Sequence, residues 1–142
     1  MRPVTSARHA LVAVAALGAL ALGAAACGDD DNTPTLNVRL VDFAIEADQN
    51  TVPTGKVRVK AKNDGSTAHE VVFVRTDLPE DGLPVVDNKV DEEQVDVVGE
   101  VEQFPAGKSK TAALELQPGR YVLICNIATH YGLGMYRVLV VQ

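Results

Sequence analysis

The sequence predicts an all-β protein: an antiparallel sandwich of six to eight short strands with a short helix or loop insertion, in one domain over residues 36–142. Three observations predict it. Apolar and polar residues alternate in several runs with the period of a half-buried strand. Proline and glycine clusters separate those runs. Helical periodicity is nearly absent from the same region, and no internal repeat or second domain is visible.

Residues 1–26 stand apart from the domain. Arg2 and Arg8 form a basic start without acidic residues, and residues 10–26 are wholly apolar or small. This is the pattern of a secretory leader, slightly short for a membrane span. It ends in Ala24-Ala25-Ala26-Cys27, which resembles a bacterial lipobox, with alanine where leucine is usual at the position of Ala24. That resemblance implies a lipoprotein signal peptide over 1–26, a lipidated Cys27 and anchorage to the outer face of the cell membrane. A leader cut at Ala-x-Ala without lipidation is the other reading, and it leaves a secreted or periplasmic protein. Residues 27–35, with Gly28-Asp-Asp-Asp-Asn-Thr-Pro34, then read as an acidic flexible tether.

Without the leader all 19 acidic residues remain against 11 of the 13 basic ones, a charge of about −8. Such a balance argues against nucleic acid or an anionic lipid surface as the main partner. The remaining 116 residues are enough for one domain to bury most of its apolar surface.

Leu36–Leu40 alternates as a strand, slips at Val41-Asp42 and resumes at Phe43–Ile45, which predicts a bulge or a change of sheet. Val52–Gly55 is a turn, and Lys56–Lys62 is the cleanest strand, with Val57, Val59 and Ala61 inward. Asn63-Asp-Gly65 ends it with turn chemistry. Val71–Val74 is a continuous apolar run of strand length. Between Asp77 and Gly107 the pattern gives loop, one helical turn at Asp91–Gln94 and a brief strand near Val95–Val101. Lys110–Leu116 is a strand, Gln117–Gly119 a tight turn, and Arg120–Cys125 and Tyr136–Val141 form the last pair.

Between those last two strands lie Cys125, His130 and Met135, with four residues between each pair. An exported chain whose other cysteine carries a lipid leaves Cys125 without a disulfide partner, and metal ligation explains such a thiol. Thiolate, thioether and imidazole together suit copper. A trigonal copper site needs a second imidazole, and His69, 56 residues before Cys125, supplies it. Beyond the leader the chain has no other histidine and no other methionine. Singly, each residue has a plainer use as a surface histidine, a buried thiol or core filler; jointly they do not.

An isolated upstream histidine followed by Cys, His and Met near the C-terminus resembles the cupredoxins, the small blue-copper family that includes plastocyanin, azurin and amicyanin. The resemblance covers most of the chain after the leader and is strongest in the last 22 residues; the four-and-four loop spacing is closest to sulfocyanin-type members. It implies a Greek-key sandwich holding one copper ion, cycling between Cu(I) and Cu(II), on His69, Cys125, His130 and Met135. It also implies that the backbone N–H of Glu70 donates to the thiolate. Glu70 stands where relatives often carry a strand-tethering asparagine, and Asn63 matches the asparagine that opens the preceding turn. Tyr131 either covers the edge of His130 or is a surface aromatic.

The function so implied is one-electron transport by a membrane-tethered monomer, with a redox partner protein still to be identified. The alternative is extracytoplasmic copper binding and delivery to a copper-accepting protein; a metal-free interaction sandwich is the remaining one. Enzymatic readings fit poorly. Two histidines cannot build a trinuclear copper cluster, a dinuclear centre needs a second loop cysteine, and zinc hydrolysis leaves the methionine unexplained. The cationic row Lys56, Arg58, Lys60, Lys62 contrasts with an acidic stretch from Glu80 to Glu102, and it is either a solvated strand face or a docking face for the redox partner.

Overall fold

The structure, a computed structural model, describes residues 32–142; the leader, Cys27 and most of the tether lie outside the described residues. Eleven strands follow in order: β1 (Thr35–Val41), β2 (Ala44–Ala47), β3 (Thr51–Val52), β4 (Gly55–Asn63), β5 (His69–Arg75), β6 (Val85–Val86), β7 (Lys89–Val90), β8 (Asp96–Phe104), β9 (Ser109–Leu116), β10 (Gly119–Ile124) and β11 (Tyr136–Val141). Among them β1, β2, β4, β5 and β8 to β11 have four residues or more. Single 3-10 turns at Glu92–Gln94 and Tyr131–Leu133 are the helical content of the described residues.

One sheet has the order β2-β1-β4-β9, and the facing sheet β3-β11-β10-β5-β8. The chain crosses between them at β2–β3, β3–β4, β4–β5, β8–β9 and β9–β10. Alternation sets the faces. In β4, Val57, Val59 and Ala61 are buried while Lys56, Lys60 and Lys62 point to solvent. Leu36, Val38 and Leu40 of β1 meet Phe73, Tyr121, Leu123 and Leu139 of the other sheet in one core. Burial of each such large apolar side chain contributes about 1.5–3 kcal/mol.

The pairing is not wholly antiparallel. The contacts β1–β4 and β3–β11 are parallel; the first arises because the chain passes through β3 in the other sheet before β4 returns beside β1. The slip at Val41-Asp42 is neither a bulge nor a sheet change. It is a two-residue hairpin turn, Asp42-Phe43, with Val41 paired to Ala44 and Phe43 in the left-handed region at φ 64°. The brief strand expected near Val95–Val101 extends to nine residues in β8. Residues 77–95 lie over the outer face of β5 and β10, where Leu83 and Val90 close a second core with Val72, Val74, Val122, Ile124 and Tyr131. Its β6–β7 hairpin turns at Asp87 and Asn88, both at positive φ (52° and 64°) as a type I′ turn requires.

The start of β10 is locked by Tyr121. Its ring is fully buried, and its hydroxyl donates to the Gln117 carbonyl (2.9 Å) and accepts from the Gln117 N–H (3.2 Å). Tyr121→Phe leaves both groups without that partner, so it should lower stability by about 1–3 kcal/mol with the metal site intact. Urea unfolding of the metal-free protein measures the loss.

Candidate metal centre

The antiparallel register of β5 and β10, with Ile124 opposite Val72, sets the end of β10 beside the start of β5. His69 opens β5 and Cys125 follows β10, so both side chains enter the core at the same end of the sandwich. The Cys125 N–H donates to the Met135 carbonyl (3.1 Å), which closes the loop between β10 and β11. Within that loop the His130 carbonyl accepts from the N–H groups of Leu133 and Met135 (both 3.1 Å). Thr129 at φ 75° and Gly134 at φ 98° make the reversals.

This folding brings three donors together. His69 Nδ1 lies 3.8 Å from Cys125 Sγ, His130 Nδ1 lies 3.4 Å from it, and the two Nδ1 atoms are 3.3 Å apart. With bonds of about 2.0 Å to imidazole and 2.3 Å to thiolate, three donors in a plane around one ion stand roughly 3.5–3.7 Å apart. The triangle therefore has the size one metal ion needs. Met135 is fully buried in the core that also holds Cys125, and its backbone is bonded to both Cys125 and His130. His69 and Cys125 are fully buried too, whereas His130 keeps 9% exposure. The surface reaches the centre through one imidazole.

Electrostatics favour an ion here. Burial pushes the Cys125 thiol up, partly countered by the N–H groups of Glu70 and Ile127 that donate to its sulfur. Those two donors compensate a thiolate once a cation displaces the proton. Burial, then the neighbouring His69, lowers His130, which keeps it neutral and able to ligate.

Glu70 thus sets its own N–H beside the Cys125 sulfur. Its carboxylate faces the N–H of Asn126, the residue after Cys125, which partly offsets the effect of its burial. Burial, then the nearby Glu100, raises the Glu70 carboxyl above its ordinary 4.5, so its charge opposes folding at neutral pH. Glu70→Gln keeps an acceptor for Asn126 and should raise apoprotein stability at pH 7. The gain should fade as acid protonates Glu70, and urea melts at pH 7 and pH 4 will show the trend. Asn63 is fully buried, donating to the carbonyls of Thr67 (2.9 Å) and Phe104 (3.2 Å) and accepting from the Gly65 N–H (3.0 Å).

Tyr131 does neither of the two things its neighbourhood suggests. It is buried under the insertion, where its hydroxyl donates to the Glu80 carbonyl (2.7 Å) and accepts from the Leu83 N–H (3.0 Å). The ring against His130 is Phe43, edge-on with centroids 5.2 Å apart. Asp42 accepts from His69 Nε2 at 2.9 Å, and the Ser66 hydroxyl and amide hold that carboxyl well below the ordinary carboxylate range. Both residues escape a reading of spacing, since they sit 27 and 87 positions from their histidines. The strained turn is the signal that finds them.

Two imidazoles and one thiolate in a triangle, with a buried thioether on the same loop, define a type 1 copper site on a β-sandwich. The chain belongs to the cupredoxin-like domain family, whose profile matches residues 10–135. Among solved structures it is similar to dithionite-reduced auracyanin from the photosynthetic bacterium Roseiflexus castenholzii, with 24% identity and a TM-score of 0.57 over 78% of this chain and 98% of that one. Auracyanin B gives 23% and 0.54 over 79% and 92%, and reduced rusticyanin 20% and 0.53 over 76% and 79%. At these identities the likeness shows a shared fold. No curated protein sequence matches the chain significantly.

Proposed function

We propose that this protein is a one-electron carrier held at the outer face of the cell membrane. The observation that carries the reading is the donor triangle, which has the dimensions of a trigonal site for one ion. When bound, copper supplies a one-electron couple. The chain's part is to keep coordination unchanged: β5, β10 and β11 fix three ligands, and backbone N–H groups stabilise the sulfur. Such rigidity keeps rearrangement small on electron transfer. His130, 9% exposed beside the exposed apolar side chains of Phe43 and Leu133, would give the electron its exit. The related auracyanin A is described as a blue copper protein, which agrees.

A redox partner would meet this end of the sandwich. Within the cationic row Lys62 lies 3.6 Å from Asp64, and the neighbouring Arg39 is paired with Glu46 at 2.7 Å. Lipidation at Cys27 would tether the domain through residues 28–34.

The test is to give residues 28–142 one equivalent of Cu(II), record the visible spectrum and follow with voltammetry. An intense thiolate-to-copper band and a reversible one-electron wave support the carrier. Rapid surrender of Cu(I) to a weak chelator favours copper delivery instead, and failure to bind either ion overturns both. For location, Cys27→Ala should move the exported full-length chain from the membrane fraction to the soluble one.

A further inference from the structure

The turn Asp42-Phe43 belongs to no ligand-bearing segment, yet it touches both histidines. Asp42 Oδ1 stands 2.9 Å from His69 Nε2, and the carboxylate is itself held by the Ser66 N–H (2.9 and 3.1 Å) and the Ser66 hydroxyl. His69 Nε2 thereby carries its proton toward Asp42, which leaves the Nδ1 lone pair aimed at Cys125 and His130. One residue on, Phe43 meets the His130 ring at 76°. It does so from the second position of the two-residue hairpin turn, at φ 64°, a conformation that disfavours a bulky L-residue by about 1–2 kcal/mol. The residue is 38% exposed, so it is only partly covered in this position. Strain of this kind persists where the surrounding structure holds it, and such residues cluster at functional sites.

We infer that Asp42 and Phe43 are positioning residues for the copper site, the first fixing the tautomer and rotation of His69, the second fixing and shielding the ring of His130. The inference rests on the copper reading for its purpose, but its first half is visible in the metal-free protein.

The experiment uses 15N NMR of the imidazoles in the metal-free chain, then copper competition against a chelator. In the wild type His69 should be a single Nε2–H tautomer. In Asp42→Ala it should become a mixture, and copper affinity should fall 10–100-fold, the usual consequence of losing such a partner. Asp42→Asn keeps an acceptor oxygen and should retain the tautomer with a smaller loss, which guards against misfolding of the alanine variant. Phe43→Gly should speed copper release several-fold while the apoprotein melts no lower than wild type, since glycine relieves the left-handed strain. A purely structural turn predicts the reverse, a lower melting point with unchanged release. An unaltered His69 tautomer in Asp42→Ala, or affinities within twofold in both Asp42 variants, overturns the inference. A wild type that binds no copper yet shows the locked tautomer overturns the electron-carrier reading and leaves Asp42 as the orienter of His69.

Discussion

Cys125→Ser is expected to abolish the intense visible band of the copper-loaded protein and to weaken Cu(II) binding by more than about 100-fold, beyond the loss from removing an outer partner. The thiolate is the soft donor at one corner of a triangle whose other corners lie 3.4 and 3.8 Å away. A serine hydroxyl stays protonated there and offers no comparable charge to the ion. The fold should survive, because the new hydroxyl can accept from the same Glu70 and Ile127 N–H groups that now donate to sulfur. A variant with wild-type urea resistance and no blue band separates the site from the scaffold. Retention of the band would mean that the centre is misassigned.

Gly65→Ala is expected to damage the site by displacing the other end of it. A Cβ on Gly65 would lie 2.6 Å from Asp42 Oδ1 and 2.7 Å from His69 Nε2. Those two atoms are hydrogen-bonded to each other, so the methyl group must push them apart or shift the turn. Overpacking of this kind costs about 1–3 kcal/mol, and the movement should carry His69 Nδ1 out of the triangle. Copper affinity should therefore fall together with apoprotein stability. Gly132 provides the contrast: a Cβ there meets nothing within 4 Å, and its backbone is not left-handed. Gly132→Ala should leave binding unchanged and stability equal or slightly higher. Isothermal titration with Cu(II) and urea melts of both variants decide the matter; equal behaviour of the two would remove the steric account of Gly65.

Where information was local, the sequence could be read. The alternation in β4 and the apolar run of β5 announce buried faces, and Tyr136–Val141 is a strand over its whole predicted length. Cys125, His130 and Met135 share one loop, so their spacing alone exposes the chemistry, and His69 is the one other histidine beyond the leader to complete it. Relations between distant segments were not legible. Parallel pairing of β1 with β4 follows from a crossover through two short strands that alternation cannot describe. Asp42 looked like a fault in a strand because its partners, Ser66 and His69, come from another turn and the strand that follows it. Tyr131 was misplaced for a related reason: adjacency to His130 in the chain says nothing of the insertion that covers it.

That insertion makes the copper-binding loop a poor candidate for transplantation. Asn126 bonds both the N–H and the carbonyl of Val90 (2.7 and 3.0 Å), the Thr129 N–H donates to the Asn88 carbonyl (2.8 Å), and Tyr131 is fastened to Glu80 and Leu83. A chimaera that received residues 125–135 alone would inherit the ligands without the wall they lean on. Protein engineers grafting this loop onto a simpler sandwich would need to move residues 77–95 with it, as a single two-part cassette.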